Sequence, residues 1–438
     1  MRDVVLHAFN WSFREIAECA PAIANAGYGA VLFAPEFYSD PDGHEWWQAY
    51  QPKDYRVLRS HMGRKSDLVA AIEALGNAGV RSYVDVVFNH MANEDRPDKF
   101  RFPGKAELDR YVRERAEFEK DLLYGSLEDN LFTERDFHPA RDIIDWSDSE
   151  EIVNRSLSGL PDLVLSIAVV KEQIACLKAL VELGFQGFRV DAVKHLPMDH
   201  IMAVFRSEPV RGKFLFCETL TFDEIQNREF LWPIVNETGI PCYDFPLQQT
   251  LLRAFAPGGS LRNLSNPASV GMALPHPQAV TFTVTHDVPN NEGFRGMLLS
   301  PHDEYLANAY VLGRDGGVPL VYSDHAESAR NHPEDNGRWD RCWNRYDIVQ
   351  MVRFHNEVHG TGQWSLWEDD GCIVFARGDR GIVAINKTDN WAHPFLWTYG
   401  LRRGRYHCQI HQHDMRIDEN CLQLSVPPRQ AQMWLWEE

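Results

Sequence analysis

Apolar and polar positions divide this chain into short strand-like runs separated by amphipathic stretches. The runs fall at 3–9 (DVVLHAF), 28–34 (YGAVLFA), 80–88 (VRSYVDVVF), 186–191 (QGFRVD) and 213–218 (KFLFCE). Further runs fall at 240–244 (IPCYD), 279–285 (AVTFTVT) and 318–322 (VPLVY). Between most of them the period changes from two to 3.6, as in Lys65–Ala78, where Leu68, Ala71, Ile72 and Leu75 recur at helical spacing. Strands alternating with helices predict a parallel sheet, and eight strands are the number that closes a (β/α)8 TIM barrel.

Two segments break that rhythm. Residues 91–165 carry no barrel-type unit and are rich in Asp, Glu, Arg and Pro, which predicts an insertion after the third strand. After the helical pattern at 347–360 (DIVQMVRFHNEVHG), short strands and turns take over: GCIVFARGD, GIVAINKT, RYHCQI and QAQMWLW. These predict a small antiparallel β domain. The expected organisation is therefore an α/β fold: barrel at 1–90 and 166–360, insertion at 91–165, and C-terminal β domain at 361–438.

Composition narrows the partners. A net charge of −19 opposes binding to nucleic acid or to an anionic membrane. No apolar run approaches the ~20 residues that span a bilayer, and the first residues have no signal-peptide pattern. Localisation is read as cytoplasmic if Met1 is the natural start and secreted if a leader has been removed; a monomer is expected. The eight Cys lack metal-binding spacing. Cys408 and Cys421 could bridge a late hairpin, but free buried thiols are the preferred reading. Thirteen Trp exceed ordinary core needs, and spare aromatic faces bind sugar rings or other flat apolar ligands.

The stretch GFRVDAVKH, 187–195, raises the sharpest chemical question. Side chains alternate along a strand, so Phe188 and Val190 share one face while Arg189 and Asp191 share the other. A guanidinium and a carboxylate are thereby held side by side at the end of a buried strand. Other strand ends are similarly polar: Asp85 through Asn89-His90, Glu218 after FLFC, and His286-Asp287 after FTVT. In a (β/α) barrel chemistry sits at the carboxyl ends of the strands. Carboxylates gathered there with His and Arg suit glycosidic bond cleavage, in which one attacks or stabilises the anomeric carbon and another protonates the leaving oxygen. Arg189 is expected to hold the Asp191 pKa down and keep it ionised.

Those residues sit in recognisable motifs. DVVFNH (85–90), GFRVDAVKH (187–195), FCETL (216–220) and FTVTHDV (282–288) occur in the order in which they stand in the α-amylase family, glycoside hydrolase family 13. GYGAVLFAP (27–35), LPDL (160–163) and GGVPLVY (316–322) also match. The chain resembles that family over nearly its whole length, the bacterial α-amylases most of all. The resemblance implies retaining endo-hydrolysis of α-1,4-glucosidic bonds in an α-glucan. It implies Asp191 as nucleophile, Glu218 as general acid/base and Asp287 as the third carboxylate, holding sugar hydroxyls. His90, Arg189 and His286 would surround the sugar at the cleavage point. In HEWWQAYQP (44–52), Tyr50 would stack on that sugar and Trp47 on the next, with one of Trp46 and Trp47 facing inward. Lys194 and His195 would contact the sugar beyond the cleavage point.

The resemblance also implies a Ca2+ ion held by Asn89, Asp162 and the carbonyl of His195, because oxygen ligands suit a hard cation. Two departures stand out. Thr285 replaces the Asn that many relatives have before this His, which weakens any case for a chloride site. Val164 follows LPDL where Asn or Asp is frequent. The alternatives are an exo-acting maltooligosaccharide-forming amylase, an α-glucan transglycosylase, and a non-catalytic sugar-binding relative, which three intact carboxylates disfavour.

Overall fold

The structure, a computed structural model, describes residues 2–40, 43, 45–93 and 105–437. Of the sequence expectations, His44 and residues 94–104 of the insertion lie outside the described residues. Strands β1 (Val5–Ala8), β2 (Ala30–Phe33), β3 (Arg81–Val86), β4 (Gly187–Val190), β5 (Phe214–Cys217), β6 (Cys242–Tyr243), β7 (Ala279–Thr281) and β8 (Val318–Ser323) close a barrel in chain order. The expected barrel is therefore present. Each strand-to-strand register is parallel wherever it is resolved.

Two strands are shorter than their apolar patterns. The run at 279–285 pairs only over Ala279–Thr281, and that at 240–244 only over Cys242–Tyr243. Phe282 and Val284 remain buried beyond the last paired residue of β7. Alternation reports which side chains are buried, and burial continues where the ladder has already stopped.

Packing groups the chain into two compact units, residues 8–24 with 30–242, and residues 1–7 with 25–29 and 243–438. In the first unit β3, β4 and β5 lie side by side with Asp85 opposite Arg189, and Val190 opposite Cys217. Phe188 and Val190 are fully buried, each side chain stabilising the fold by about 1.5–3 kcal/mol. Helix α1 (Lys65–Asn77) buries Leu68, Ala71, Ile72 and Leu75, the residues its periodicity singled out. Helix α2 (Ile167–Leu183) begins where the Ser166 side chain accepts from the Val169 amide. It stops at Gly184, whose φ of +124° suits glycine and whose Hα faces Ile72, where a Cβ would come within 2.9 Å.

The second unit contains the C-terminal strands. Helix α3 (Pro301–Gly313) and helix α4 (Tyr346–Val358) precede β9 (Gln363–Glu368), β10 (Cys372–Arg377) and β11 (Gly381–Asn386). After them come β12 (Phe395–Trp397), β13 (Gly404–Cys408), β14 (Asp414–Ile417), β15 (Cys421–Gln423) and β16 (Gln430–Glu437). They form an antiparallel six-stranded sheet in the order β9-β10-β11-β16-β13-β14, with a separate β12-β15 pair. β10 and β11 are buried along their whole length, with α3 against them: Tyr310 packs edge-on against Phe375, and Gly313 lies so near Val383 and Met433 that a Cβ would sit 3.0 and 3.2 Å from their side chains. All eight Cys are free thiols, including Cys408 and Cys421. No helix among the described residues is long and apolar enough to cross a membrane.

Candidate active site

Arg189 organises the site. Its side chain is fully buried, yet its guanidinium meets three carboxyl groups: Nη1 lies 2.5 Å from Asp85 Oδ2 and 2.8 Å from Asp191 Oδ1, and Nη2 lies 2.6 Å from Glu218 Oε1. The register of β3, β4 and β5 causes this, since it sets Asp85 beside Arg189 and leaves Asp191 and Glu218 as the next residues beyond a paired couple. The Tyr50 hydroxyl donates to Asp85 Oδ2 at 2.9 Å, and its ring lies 5.9 Å from the guanidinium.

One positive charge serves three buried acids, so desolvation weighs against their charged forms. Burial pushes the Asp85 carboxyl well above its usual range, opposed by Arg189 and reinforced by the negative charges of Asp191 and Glu218. Burial also raises Asp191, despite the opposing pull of Arg189 and hydrogen bonds from Arg189 and Glu218. The expectation that Arg189 would leave Asp191 with a depressed pKa is thus corrected. The guanidinium does pull it down, but it is shared, and desolvation wins.

Backbone geometry presents Asp191. Ala192 just after it adopts φ +50°, a left-handed conformation costly for a residue with a Cβ. This turn lets the Val193 amide donate to the Glu218 carbonyl at 3.0 Å, locking the two strand ends together.

The flanking groups fall into place around this centre. His90 donates from Nε2 to the Tyr50 carbonyl at 3.0 Å, and the Asn89 amide faces its Nδ1 at 3.4 Å. Burial lowers the His90 pKa to about 4, so the ring is neutral near neutral pH. His195 donates from Nδ1 to the Ile152 carbonyl at 3.0 Å and packs edge-on against Trp146; burial lowers it too to about 4. Lys194 Nζ sits 4.3 Å from the centre of the Phe230 ring, and burial brings its pKa down to about 8. Trp46 turns inward against Phe9 and Tyr50, whereas Trp47 is 42% exposed.

The LPDL segment pairs with the end of β3. Leu163 donates to the Asn89 carbonyl at 2.9 Å and Met91 to the Pro161 carbonyl at 3.0 Å, so Asn89 and Asp162 become neighbours. Asp162 Oδ2 receives His138 Nδ1 at 2.6 Å, while its buried Oδ1 has no hydrogen-bond partner. Burial, only partly offset by His138 and Asn89, raises Asp162 to about 6. Sequence reading missed His138, which stands in an insertion with no periodic pattern, and it gave Asp85 no role although it noted that strand end.

His286 and Asp287 belong to the other unit. His286 Nε2 lies 3.4 Å from Asp287 Oδ2, and its ring packs edge-on against His7 at 5.3 Å. The Asn290 amide ties the His286 carbonyl (2.8 Å) to the Tyr322 hydroxyl (3.1 Å), which donates in turn to Asp324. His7, Tyr322 and Asp324 come from β1 and the end of β8; Tyr322 closes the GGVPLVY motif but was given no role, and His7 and Asp324 lie in no motif.

Comparison with known proteins agrees with the motifs. Residues 16–231 match the profile of the alpha amylase catalytic domain, and residues 367–437 that of the alpha amylase C-terminal all-beta domain. The chain is 43% identical over 397 residues to an alpha-amylase of Aeromonas hydrophila, covering 88% of this chain and 84% of that protein. It is 30% identical over 438 residues to an alpha-amylase of Thermomonospora curvata, covering 93% and 67%. In fold it is similar to the maltohexaose complex of a variant of alpha-amylase I from Eisenia fetida, with a TM-score of 0.81, 22% identity and 100% and 98% coverage.

Proposed function

The chain belongs to the α-amylase family, and from that premise we propose retaining endo-hydrolysis of α-1,4-glucosidic bonds in starch, glycogen and maltooligosaccharides. The observation that carries the mechanism is the sharing of one buried guanidinium by Asp191 and Glu218, on its two terminal nitrogens. One guanidinium draws the two carboxyl groups together, which favours the close spacing of about 5–5.5 Å used by retaining enzymes over the roughly 6.5–9.5 Å that admits an inverting enzyme's water.

In this reading Glu218 protonates the leaving glycosidic oxygen as Asp191 attacks the anomeric carbon, giving a covalent glycosyl-enzyme. Glu218 then removes a proton from the incoming water, whose oxygen displaces Asp191. Asp287 would hold hydroxyls of the distorted sugar, with His90, neutral near neutral pH, and His286 beside it. Tyr50 and Trp47 would supply ring faces for successive sugars, and Lys194 and His195 would hold the chain beyond the cleavage point. The catalytic frame is the barrel at 1–90 and 166–360, with 91–165 as insertion and 361–438 as the C-terminal domain.

Endo action has a direct signature. Iodine staining of soluble starch should collapse before much reducing sugar appears. Staining that falls only in proportion to reducing ends would mean exo attack, and early products longer than a maltooligosaccharide substrate would mean transfer.

A Ca2+ ion fits the residues present. The Asn89 side-chain oxygen, the partnerless Asp162 Oδ1 and the His195 carbonyl would hold it, and an all-oxygen donor set suits a hard cation. Its contribution would be structural, fixing the LPDL segment to the end of β3. Binding to the folded state alone adds about 2.7 kcal/mol at a hundredfold excess over Kd. A calcium-selective chelator should therefore lower Tm, and Asp162→Ala should remove most of that sensitivity. An unchanged melting curve after exhaustive chelation, with no calcium found by elemental analysis, would refute the site.

A further inference from the structure

We propose a second metal site, for a divalent transition ion of the zinc class, formed by Asp3, His355 and His359. None of the catalytic, sugar-binding or calcium roles above uses these residues. Their candidate ligand atoms all lie within 4.8 Å of one another. Asp3 stands two residues before β1, whereas His355 lies in the last turn of α4 and His359 is the residue that ends it. All three belong to the same compact unit.

The hydrogen bonding argues for a cation. His355 Nδ1 is 3.1 Å from the Leu312 carbonyl, which can only accept, so this nitrogen carries the ring proton. In the neutral ring Nε2 then presents its lone pair, yet it points at Asp3 Oδ1 from 2.9 Å. Two lone pairs face each other unless a proton or a metal lies between them. A second imidazole approaches the same oxygen, His359 Nδ1 at 3.4 Å. An imidazole fixed through one nitrogen by a backbone carbonyl, with the other free to coordinate, is the usual support of a metal-bound histidine.

The dimensions and donor types select the ion. Tetrahedral zinc with bonds of about 2.0–2.1 Å holds its ligands about 3.3 Å apart. The two distances to Asp3, 2.9 and 3.4 Å, lie close to that value, and the two histidine nitrogens, within 4.8 Å of each other, would draw together on binding. Two imidazoles and one carboxylate favour zinc and its neighbours over calcium or magnesium. Three protein ligands leave a fourth position for water, and His359, 34% exposed, gives the ion a route in. Arg377, a cation that feels the charge of Asp3, is committed to the carbonyls of Gly313, Val358 and Thr361 and to Asp315. A bound ion would pin the start of the chain to the end of α4.

The test uses the full chain stripped of metal and resupplied with calcium. Zinc chloride is titrated against a chromogenic chelator, and cobalt(II) chloride is followed by visible absorption. One equivalent of tightly bound zinc, an intense four-coordinate cobalt band and a Tm raised by zinc are expected. His359→Ala, a change at a partly exposed position, should weaken zinc binding at least tenfold and abolish the cobalt band, with starch hydrolysis and far-ultraviolet circular dichroism unchanged. Equal zinc affinity in wild type and His359→Ala, as binding at His407, His411 or His413 would give, overturns the proposal. So does wild-type protein that leaves all the zinc with the chelator.

Discussion

Asp191→Asn is expected to lower kcat on soluble starch by a factor on the order of 10⁴ or more. The substitution preserves shape and can still accept from Arg189 Nη1, so the fold and the positions of Asp85 and Glu218 should survive. What it removes is the charge and lone pair that form the glycosyl ester. Glu218→Gln should be nearly as damaging on starch, because the leaving sugar alcohol must be protonated. It should be milder on an aryl maltoside or a maltosyl fluoride, whose leaving groups depart without an acid. A folded Asp191→Asn protein that hydrolyses starch at a near-normal rate would remove Asp191 from the mechanism.

Arg189→Met carries the largest expected effect on stability. The guanidinium is fully buried and is shared by Asp85, Asp191 and Glu218. Removing one partner of a buried ion pair costs about 3–5 kcal/mol, because the charge left behind has lost its compensation. Here three acids are left, and they can respond only by taking up protons. The variant should thus unfold at a markedly lower urea concentration and lose activity together, since a protonated Asp191 cannot attack. Arg189→Lys should recover only part of either property, because one ammonium cannot reproduce the planar two-nitrogen bridge. A wild-type urea midpoint for Arg189→Met would mean that the cluster is neutralised in some other way.

Much of this was legible in the sequence because barrel strands are buried on both faces. Their apolar runs are unmistakable, and each polar residue that ends one is conspicuous. Asp191, Glu218, His90 and Arg189 were all visible on that ground. Visible too was the inward turn of one tryptophan at 46–47. What the sequence could not give was how the charges are divided. Arg189 and Asp191 read as a private pair, because alternation along β4 sets them on one face. The register across β3, β4 and β5 brings in Asp85 and Glu218, and burial then outweighs the single guanidinium. His138 against Asp162 was out of reach for a related reason. It joins two parts of an aperiodic segment, and only tertiary pairing of LPDL with the end of β3 positions the carboxylate that it meets. The metal cluster at Asp3 joins residues some 350 positions apart in the chain, with only the His355–His359 spacing as a local hint.

The central claim is a covalent glycosyl-enzyme on Asp191, and mass spectrometry of the trapped species tests it most directly. A fluorinated α-maltosyl fluoride, slow to hydrolyse because fluorine destabilises the oxocarbenium-like transition state, is incubated with the enzyme. The protein is then digested and its peptides sequenced. The account predicts one added fluoromaltosyl group, on the peptide containing residues 187–195 and at Asp191. A stoichiometric adduct on any other carboxylate, or turnover of the reagent to initial β-anomeric product with no adduct, would contradict it.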